Sequence, residues 1–440
     1  MRARLASLLG FLAVAGLTPA AAQDFTTLKG HGGPVMGLDV HDVTGQVATA
    51  SFDNSVGLWE DRTPRWMDGH EAAVITVRFL DERMAMSGGD DFDVILWNLE
   101  SGASTRLEGH QGKVAELRLS PDGQTIASAS WDGSIGLWPR SGGSGTFLKG
   151  HGAGVSDLAF SPDGTRLYSS SADGTIRVWN LNAPEDKPRV IVDQGFGVNR
   201  LILAPDETWL AYGAVDGVTR VVAPETGETL RDFSLDRRPI LSMAYHEGTA
   251  QLAVGDGHGF IMMIDTAEWR IMRDFRAMRQ GPVWALDFSP DGRRIYAGGI
   301  EDVAFAWPVA LLDEFEPVGG ATRSFLRDPE DMPNGERQFM RKCSICHALT
   351  PPPSRKAGPT LYGLFGRRAG AVEGYPYSET LAGSDIVWSD DTIDALFDLG
   401  PDHYIPGSKM PMQRITAAAD RRDLVEFLRV ASTAKKETDQ

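Results

Sequence analysis

The sequence is poor in cysteine, in net positive charge and in long apolar runs. It has two cysteines in 440 residues, so any cysteine chemistry must use this single pair. Sixty acidic residues outnumber 43 basic ones, and the net charge of −17 argues against nucleic acid or an anionic membrane surface as a partner. Beyond the N-terminal region no stretch is long and apolar enough to span a bilayer, which takes about 20 residues.

The first 22 residues have the features of a secretory signal. Arg2 and Arg4 give a charged start, the run from Leu5 to Leu17 carries no charge, and Ala20, Ala21 and Ala22 form a small-residue cleavage site. The apolar run is too short for a spanning helix, although an uncleaved anchor is the alternative. We therefore expect the chain to be exported and to act in the periplasm.

The two cysteines lie in the run Cys343-Ser-Ile-Cys346-His347, which is the attachment pattern of a c-type haem. Two thiols about one helical turn apart can form thioethers to one edge of the macrocycle, and the adjacent imidazole can bind the iron. A redox disulfide would not need His347, and a zinc site would need further ligands, of which His403 is the only one downstream. The pattern therefore favours one covalently attached haem c, which agrees with export.

A repeat of about 40 residues precedes this motif. Gly-His pairs, turns containing Asp, and short β-branched runs ending in Trp recur in register, and three weaker copies follow, which makes seven units. The strong units have their histidine and tryptophan at His31 and Trp59, His70 and Trp97, His110 and Trp138, and His151 and Trp179. Alternating and β-branched runs are typical of strands.

This pattern of Gly-His pairs, Asp turns and terminal tryptophans resembles the WD40 family. The resemblance implies an all-β, seven-bladed propeller over residues 24–316. It also implies a hydrogen-bonded set in each strong unit, such as His31, Ser51, Asp53 and Trp59. The corresponding hydroxyls in the third and fourth units are Ser130 and Ser171, whereas the second unit has Gly89 at this position. We interpret these histidines as buried hydrogen-bonding residues and not as metal ligands, and His41, His246 and His258 as loop residues.

After Trp307 no outer strand follows before the chain turns helical and acidic. We expect the segment from Phe25 to Leu28 to supply the missing strand and close the ring. Residues 317–333 are predicted to be a linker, 334–433 a second domain, and 434–440 a C-terminal tail.

Residues 334–433 resemble class I cytochromes c of the cytochrome c2 and mitochondrial kind, which are all-α. Several motifs match in order: the haem motif, Gly358-Pro359-Thr360-Leu361, Ile386-Val387-Trp388 and Pro406-Gly407-Ser408-Lys409-Met410. The resemblance implies that Cys343 and Cys346 hold the haem and that His347 and Met410 are the axial ligands. It also implies that the Pro359 carbonyl accepts from His347, that Trp388 bonds a propionate and that Ser408 supports the distal loop.

Met412 and His403 are rival distal ligands. The sequence departs from the family in two ways. A tyrosine that often lies near the methionine sulfur is replaced by Leu396 or Phe397, and the basic face is depleted, with Asp402 and His403 where lysines are common. The second domain is nearly neutral, so the acidity belongs mostly to the propeller.

These features predict a periplasmic carrier of single electrons, with the propeller as a module that docks a redox protein. One alternative is an oxidoreductase whose propeller is catalytic and whose cytochrome is the electron exit; another is a haem-based redox sensor or assembly factor. On a WD40-like ring the residue before each second-turn Asp lies near the usual binding face. This predicts a partner-binding surface containing Phe52 and Trp131, extended by Phe196 and Trp284.

Overall fold

The computed structural model describes residues 26–234, 239–278, 280–312, 332–344, 346–353, 356–406, 408, 410 and 414–433. The predicted signal segment, most of the predicted linker, the predicted tail and Met412 lie outside the described residues. Within the described residues the strands, numbered β1 to β28 in chain order, are Thr26–Lys29, Val35–Val40, Val47–Ser51, Ser55–Glu60, Thr63–Asp68, Val74–Asp81, Met84–Gly89, Val94–Asn98, Ser104–Leu107, Val114–Leu119, Thr125–Ser130, Ser134–Pro139, Thr146–Lys149, Val155–Phe160, Arg166–Ser171, Thr175–Asn180, Arg189–Asp193, Val198–Leu203, Leu210–Ala214, Thr219–Val222, Thr229–Asp232, Ile240–His246, Gln251–Asp256, Phe260–Asp265, Arg270–Arg276, Val283–Phe288, Arg294–Gly299 and Val303–Pro308.

These strands form seven four-stranded antiparallel sheets, which are the blades of a propeller. Blades 1 to 6 are β2–β5, β6–β9, β10–β13, β14–β17, β18–β21 and β22–β25. The first strand of each blade contacts the first strand of the next, and β26 contacts β2, so these strands line the centre of a closed ring. Blade 7 consists of β26, β27, β28 and β1, and Thr27 of β1 pairs with Phe305 of β28. The expectation that the N-terminal strand closes the ring is confirmed.

The buried histidines and tryptophans cross-link the strands of each strong blade. In blade 1, His31 Nδ1 lies 3.0 Å from an Asp53 oxygen and His31 Nε2 lies 2.7 Å from Thr49 Oγ1. The Trp59 indole N–H donates to the same Thr49 hydroxyl at 2.7 Å. Burial alone would raise the pKa of Asp53, but the hydrogen bond from His31 lowers it overall.

The expected hydroxyl position in this set was wrong by two residues. Thr49 is the hydroxyl partner in blade 1, with Ser128 and Ser169 at the same place in blades 3 and 4. Ser51 instead bonds the backbone of the turn, donating to Gly33 O and accepting from Asp53 N. Residues two apart on a strand share a face, so the sequence alone did not show which one the indole reaches.

Blade 2 also contains the full hydrogen-bonded set, because its hydroxyl partner, Ser87, lies two residues before the expected position. His70 bonds Asp91 at 2.9 Å and Ser87 at 2.7 Å, and the Trp97 indole donates to Ser87. The apparent defect at Gly89 is therefore no departure. A Cβ at Gly89 would lie 2.7 Å from His70 Nδ1, so a side chain would collide with this ring.

Charged side chains on the first strands tie successive blades together at the centre of the ring. Arg78 bonds both Asp39 and Glu116 at 3.0 Å, and Arg118 bonds Glu116 and Asp157 at 2.6 and 2.9 Å. These residues lie on β2, β6, β10 and β14, so the ion pairs link blades 1 to 4. Asp287 of blade 7 accepts from the backbone N–H of Val40 in blade 1. Burial and the nearby Asp39 carboxylate raise the pKa of Asp287 to about 7.

The C-terminal domain is built from short helices around a separate apolar core. In the described residues its helices, α1 to α5, are Asn334–Lys342, Glu379–Ala382, Asp390–Leu399, Pro401–Tyr404 and Ala418–Ala431. An isolated β-bridge joins Arg368 to Val387. The first and last helices cross in direct contact, with the rings of Phe339 and Phe427 5.4 Å apart. Among the described residues no helix is long and apolar enough to cross a membrane.

Candidate haem site

The C-terminal end of helix α1 and the turn after it place two thiols in the wall of one cavity. Cys343 caps the C-terminus of α1, its N–H bonding Phe339 O, and Cys346 follows in the next turn. Both thiols are free, with Cys343 buried and Cys346 half-buried. Burial raises the pKa of Cys343 to about 12 and also raises the pKa of Cys346. The two sulfur-bearing residues therefore line the cavity as neutral, unpaired thiols.

His347 is held by the carbonyl that the resemblance implies. Its Nδ1 lies 2.7 Å from Pro359 O, and an N–H donated there leaves Nε2 as the nitrogen free to bind a metal. Burial lowers the pKa of His347, which favours the neutral imidazole that coordination needs. A Cβ at Gly358 would lie 2.5 Å from His347 Cε1, so glycine is required beside the ring.

Met410 lines the same cavity and packs on the apolar core of the domain. Its backbone N–H donates to Ser408 Oγ at 3.1 Å, so Ser408 supports the distal segment as the resemblance implies. Of the two rival ligands, Met412 lies outside the described residues. His403 is exposed near the end of α4 and is not among the residues that line the cavity.

One part of the cavity carries polar groups suited to the carboxylates of a haem. Trp388 lines it, together with Arg367, Tyr377 and Ser378. The Ser378 hydroxyl is buried and has no hydrogen-bond partner among the described residues. Arg367 donates to the carbonyls of Thr360 and Tyr362. Sequence reasoning missed the roles of Tyr377 and Ser378, because isolated polar residues in a loop have no diagnostic spacing.

The residues present fit a c-type haem. The cavity has a volume of about 490 Å³, and two free thiols, an oriented imidazole and a thioether converge on it. Its walls are mostly apolar, and they include Leu361, Leu364, Ile393, Leu396 and Phe397. An apolar macrocycle with two carboxylates matches apolar walls and an orphaned buried hydroxyl. Cys343 and Cys346 would hold the group, His347 and Met410 would bind its iron, and the group would supply one-electron chemistry.

Loops of the propeller also line this cavity. They are the β3–β4 turn with Phe52 and Asn54, the segment before β6 with Glu71, Ala72 and Ala73, and the β7–β8 turn with Asp90 and Asp91. The described part of the chain contains no group of three or more His, Cys, Asp or Glu side chains that could hold a metal ion. The histidines of the strong blades bond carboxylates and hydroxyls, as interpreted from the sequence.

The four aromatic residues predicted to bind a partner fall into two groups. Trp131 is 60% exposed and Phe196 is 58% exposed. Phe52 and Trp284 are half-buried. Val215 and Phe92 are further exposed apolar residues, and they lie in turns on the same face of the propeller as Trp131. The sequence could not separate these groups, because neighbouring loops decide exposure at turn positions.

The fold and the site together define a β-propeller joined to a c-type cytochrome. The sequence profile described as "WD domain, G-beta repeat" matches residues 23–60, 103–139, 142–180 and 270–307, and the one described as "Cytochrome c" matches 333–432. Through this C-terminal domain the chain belongs to the cytochrome c family, and its N-terminal part is a propeller of WD40 repeats.

Curated relatives match the C-terminal domain over most of their own length. A cytochrome c of Gibberella zeae is 38% identical over 99 residues, which is 22% of this chain and 92% of the relative. A cytochrome c of Arabidopsis thaliana is 40% identical over 98 residues, 22% of this chain and 87% of the relative. One from Theileria parva is 40% identical over 103 residues, 23% of this chain and 88% of the relative. The family implies electron transfer, and WD40 propellers imply interaction with proteins.

Proposed function

We propose that this chain is an exported, periplasmic electron carrier whose propeller docks a redox protein beside its haem domain. The observation that carries the proposal is the convergence of Cys343, Cys346, His347 and Met410 on one cavity. If His347 and Met410 both bind the iron, no coordination position is left for a substrate, and the haem would supply single-electron transfer. A Met/His pair favours reduced iron and gives a high potential.

The haem attachment makes the first prediction. Because both thiols should be consumed in thioethers, the haem should stay with the protein during acid-acetone extraction. Pyridine haemochrome spectra should give one c-type haem per chain. In the variant Cys343→Ser/Cys346→Ser, any haem that binds should become extractable.

Extractable haem in the native chain, or two haems per chain, would contradict this assignment. The same spectra address the alternative of a catalytic propeller. Absorbance from a second prosthetic group, beyond one c-type haem, would favour that alternative.

The docking surface is supported by three exposed apolar residues on blades 3 to 5, two of them aromatic. Trp131 lies in the β11–β12 turn, Phe196 precedes β18, and Val215 lies in the β19–β20 turn. Aromatic side chains bury much area with few rotors, so they supply a large part of the binding energy in interfaces. The Lys113 ammonium lies 3.4 Å from the centre of the Trp131 ring. We call the two aromatic residues Trp131 and Phe196, together with Val215, the aromatic patch.

Charge indicates the kind of partner. The haem domain, residues 334–433, contains twelve basic and twelve acidic residues, so the net charge of −17 lies in the remainder of the chain. A redox protein with an apolar contact surrounded by basic residues would complement an acidic propeller. We propose such a protein as the occupant of the aromatic patch.

The variants Trp131→Ala and Phe196→Ala test the patch. Each should weaken binding of the native periplasmic redox partner by at least about 1 kcal/mol, which is roughly fivefold. The measurement is the rate at which native periplasmic extract reoxidises the reduced haem, as a function of extract concentration. The matched control is Val43→Ala, because Val43 is 77% exposed in the β2–β3 turn at the opposite face. Unchanged rates in both variants would rule out the aromatic patch as the docking surface. A large loss of thermal stability would assign the two aromatic side chains to the core.

A further inference from the structure

The cavity that fits the haem is bounded by both domains of the chain. Its wall on the propeller side comes from the β3–β4 turn, the segment before β6 and the β7–β8 turn. We call these three segments the blade 1–2 loops. They belong to the same face of the propeller as Trp131, whose turn is the equivalent of the β3–β4 and β7–β8 turns in blade 3.

One residue of the blade 1–2 loops has a buried oxygen without a hydrogen-bond partner among the described residues. The residue is Asn54, which lines the cavity, and the buried atom is its Oδ1. Its backbone adopts a left-handed conformation, with φ at 69°. An amide can accept through oxygen or donate through nitrogen, and buried polar groups in native proteins are nearly always paired. An unsatisfied amide in the wall of this cavity is explained if it bonds the haem that the cavity fits.

Charges on the two sides of the cavity are opposite. The blade 1–2 loops carry Glu71 and Asp90, and both line the cavity. On the cytochrome side Lys342 lines it. Lys356 directly precedes Ala357 and Gly358, which line the same cavity. The haem domain as a whole is neutral, so these two lysines provide local attraction to an acidic face.

From the shared wall, the unpartnered amide and the opposite charges, we propose that the blade 1–2 loops dock the chain's own haem domain and cover the mouth of the haem cavity. This inference rests on the proposed function and extends it. The propeller would hold the haem edge on the face that also carries the aromatic patch, so a partner bound at Trp131 would be placed one blade away from the haem. Phe52 then contacts the cytochrome domain and not an external protein.

Zero-length cross-linking tests the contact directly. A carbodiimide joins an amine to a carboxylate only where the two touch. In the full-length haem protein at low ionic strength, peptide mapping should find cross-links from Lys342 or Lys356 to Glu71 or Asp90. The links should be lost in Glu71→Gln/Asp90→Asn and retained in Glu100→Gln. Glu100 is the matched control because it is exposed in the β8–β9 turn of the same blade, at the opposite face.

The rate of haem reduction distinguishes an opened cavity mouth from a simple loss of negative charge. Reduction of the ferric haem by hexaammineruthenium(II), a cation, should become several-fold faster in Glu71→Gln/Asp90→Asn, because the cavity mouth opens. Loss of two carboxylates alone would instead slow a cationic reductant, so the sign of the change is diagnostic. Absence of cross-links between the blade 1–2 loops and the haem domain, or a rate that is unchanged or lower, would overturn the inference. A chain without attached haem would overturn the proposed function instead.

Discussion

Replacing Met410 by alanine should abolish the weak near-infrared band that marks a bond from methionine sulfur to ferric haem iron. Met410 lines the haem cavity and is the described methionine whose loop is held by Ser408. Its removal leaves one axial position without its sulfur ligand. Since the axial ligands move haem potentials over about 0.8 V, we also expect the reduction potential to fall by on the order of 0.1 V or more. Absorbance of the oxidised protein and a redox titration measure both effects.

Met412→Ala is the matched control, because it removes the same side chain two residues away. The band and the potential should stay unchanged in this variant. Loss of the band in Met412→Ala and its survival in Met410→Ala would move the ligand to residue 412. Survival in both variants would assign the ligand to a different methionine, and absence of the band in the native protein would point to a ligand without sulfur, such as His403. Because Leu396 and Phe397 offer no hydroxyl near the sulfur, we further expect alkali to release the methionine in the native protein.

The parts of the structure that the sequence predicted well are those with a fixed spacing. Gly-His pairs and terminal tryptophans recur about every 40 residues because each of blades 1 to 4 buries the same cross-link, and the weaker copies keep the same turn spacing, so the seven blades could be counted in advance. The closing strand Thr26–Lys29 followed from the strand missing after Trp307. The haem motif was equally clear, since two thiols and an imidazole need a strict order to reach one macrocycle.

Features that depend on contacts between distant segments were not predictable in this way. Ser51 and Thr49 lie on the same face of β3, and only the reach of the Trp59 indole selects Thr49. The polar residues along the first strands gave no sign that Arg78 would pair with both neighbouring blades. Ser378 carries no motif, and its role follows only from the cavity that surrounds its hydroxyl.

The crossing of α1 and α5 makes the second prediction of a large effect. Gly335 lies where α1 meets α5, and a Cβ at this position would lie 2.0 Å from the backbone oxygen of Asp423 and 2.9 Å from Phe427 Cβ. A backbone oxygen cannot turn aside as a flexible side chain can, so the two helices would have to separate. Asn334 bonds Asp420 and Asp423 across the same crossing, and these bonds would be strained together with it.

Gly335→Ala should therefore destabilise the haem domain, although helix propensity alone predicts the opposite. Alanine in place of glycine in a helix interior gains about 0.5–1 kcal/mol, whereas forcing extra volume into a packed contact costs about 3 kcal/mol. The net loss of about 2 kcal/mol should lower the midpoint of thermal unfolding by about 10 °C in a domain of this size. Thermal loss of the Met410 band or of the Soret circular dichroism reports this domain without the propeller. Val430→Ala, on a residue of α5 that is 75% exposed, should shift the midpoint little. A midpoint raised by Gly335→Ala would show that the helices do not cross in this close contact.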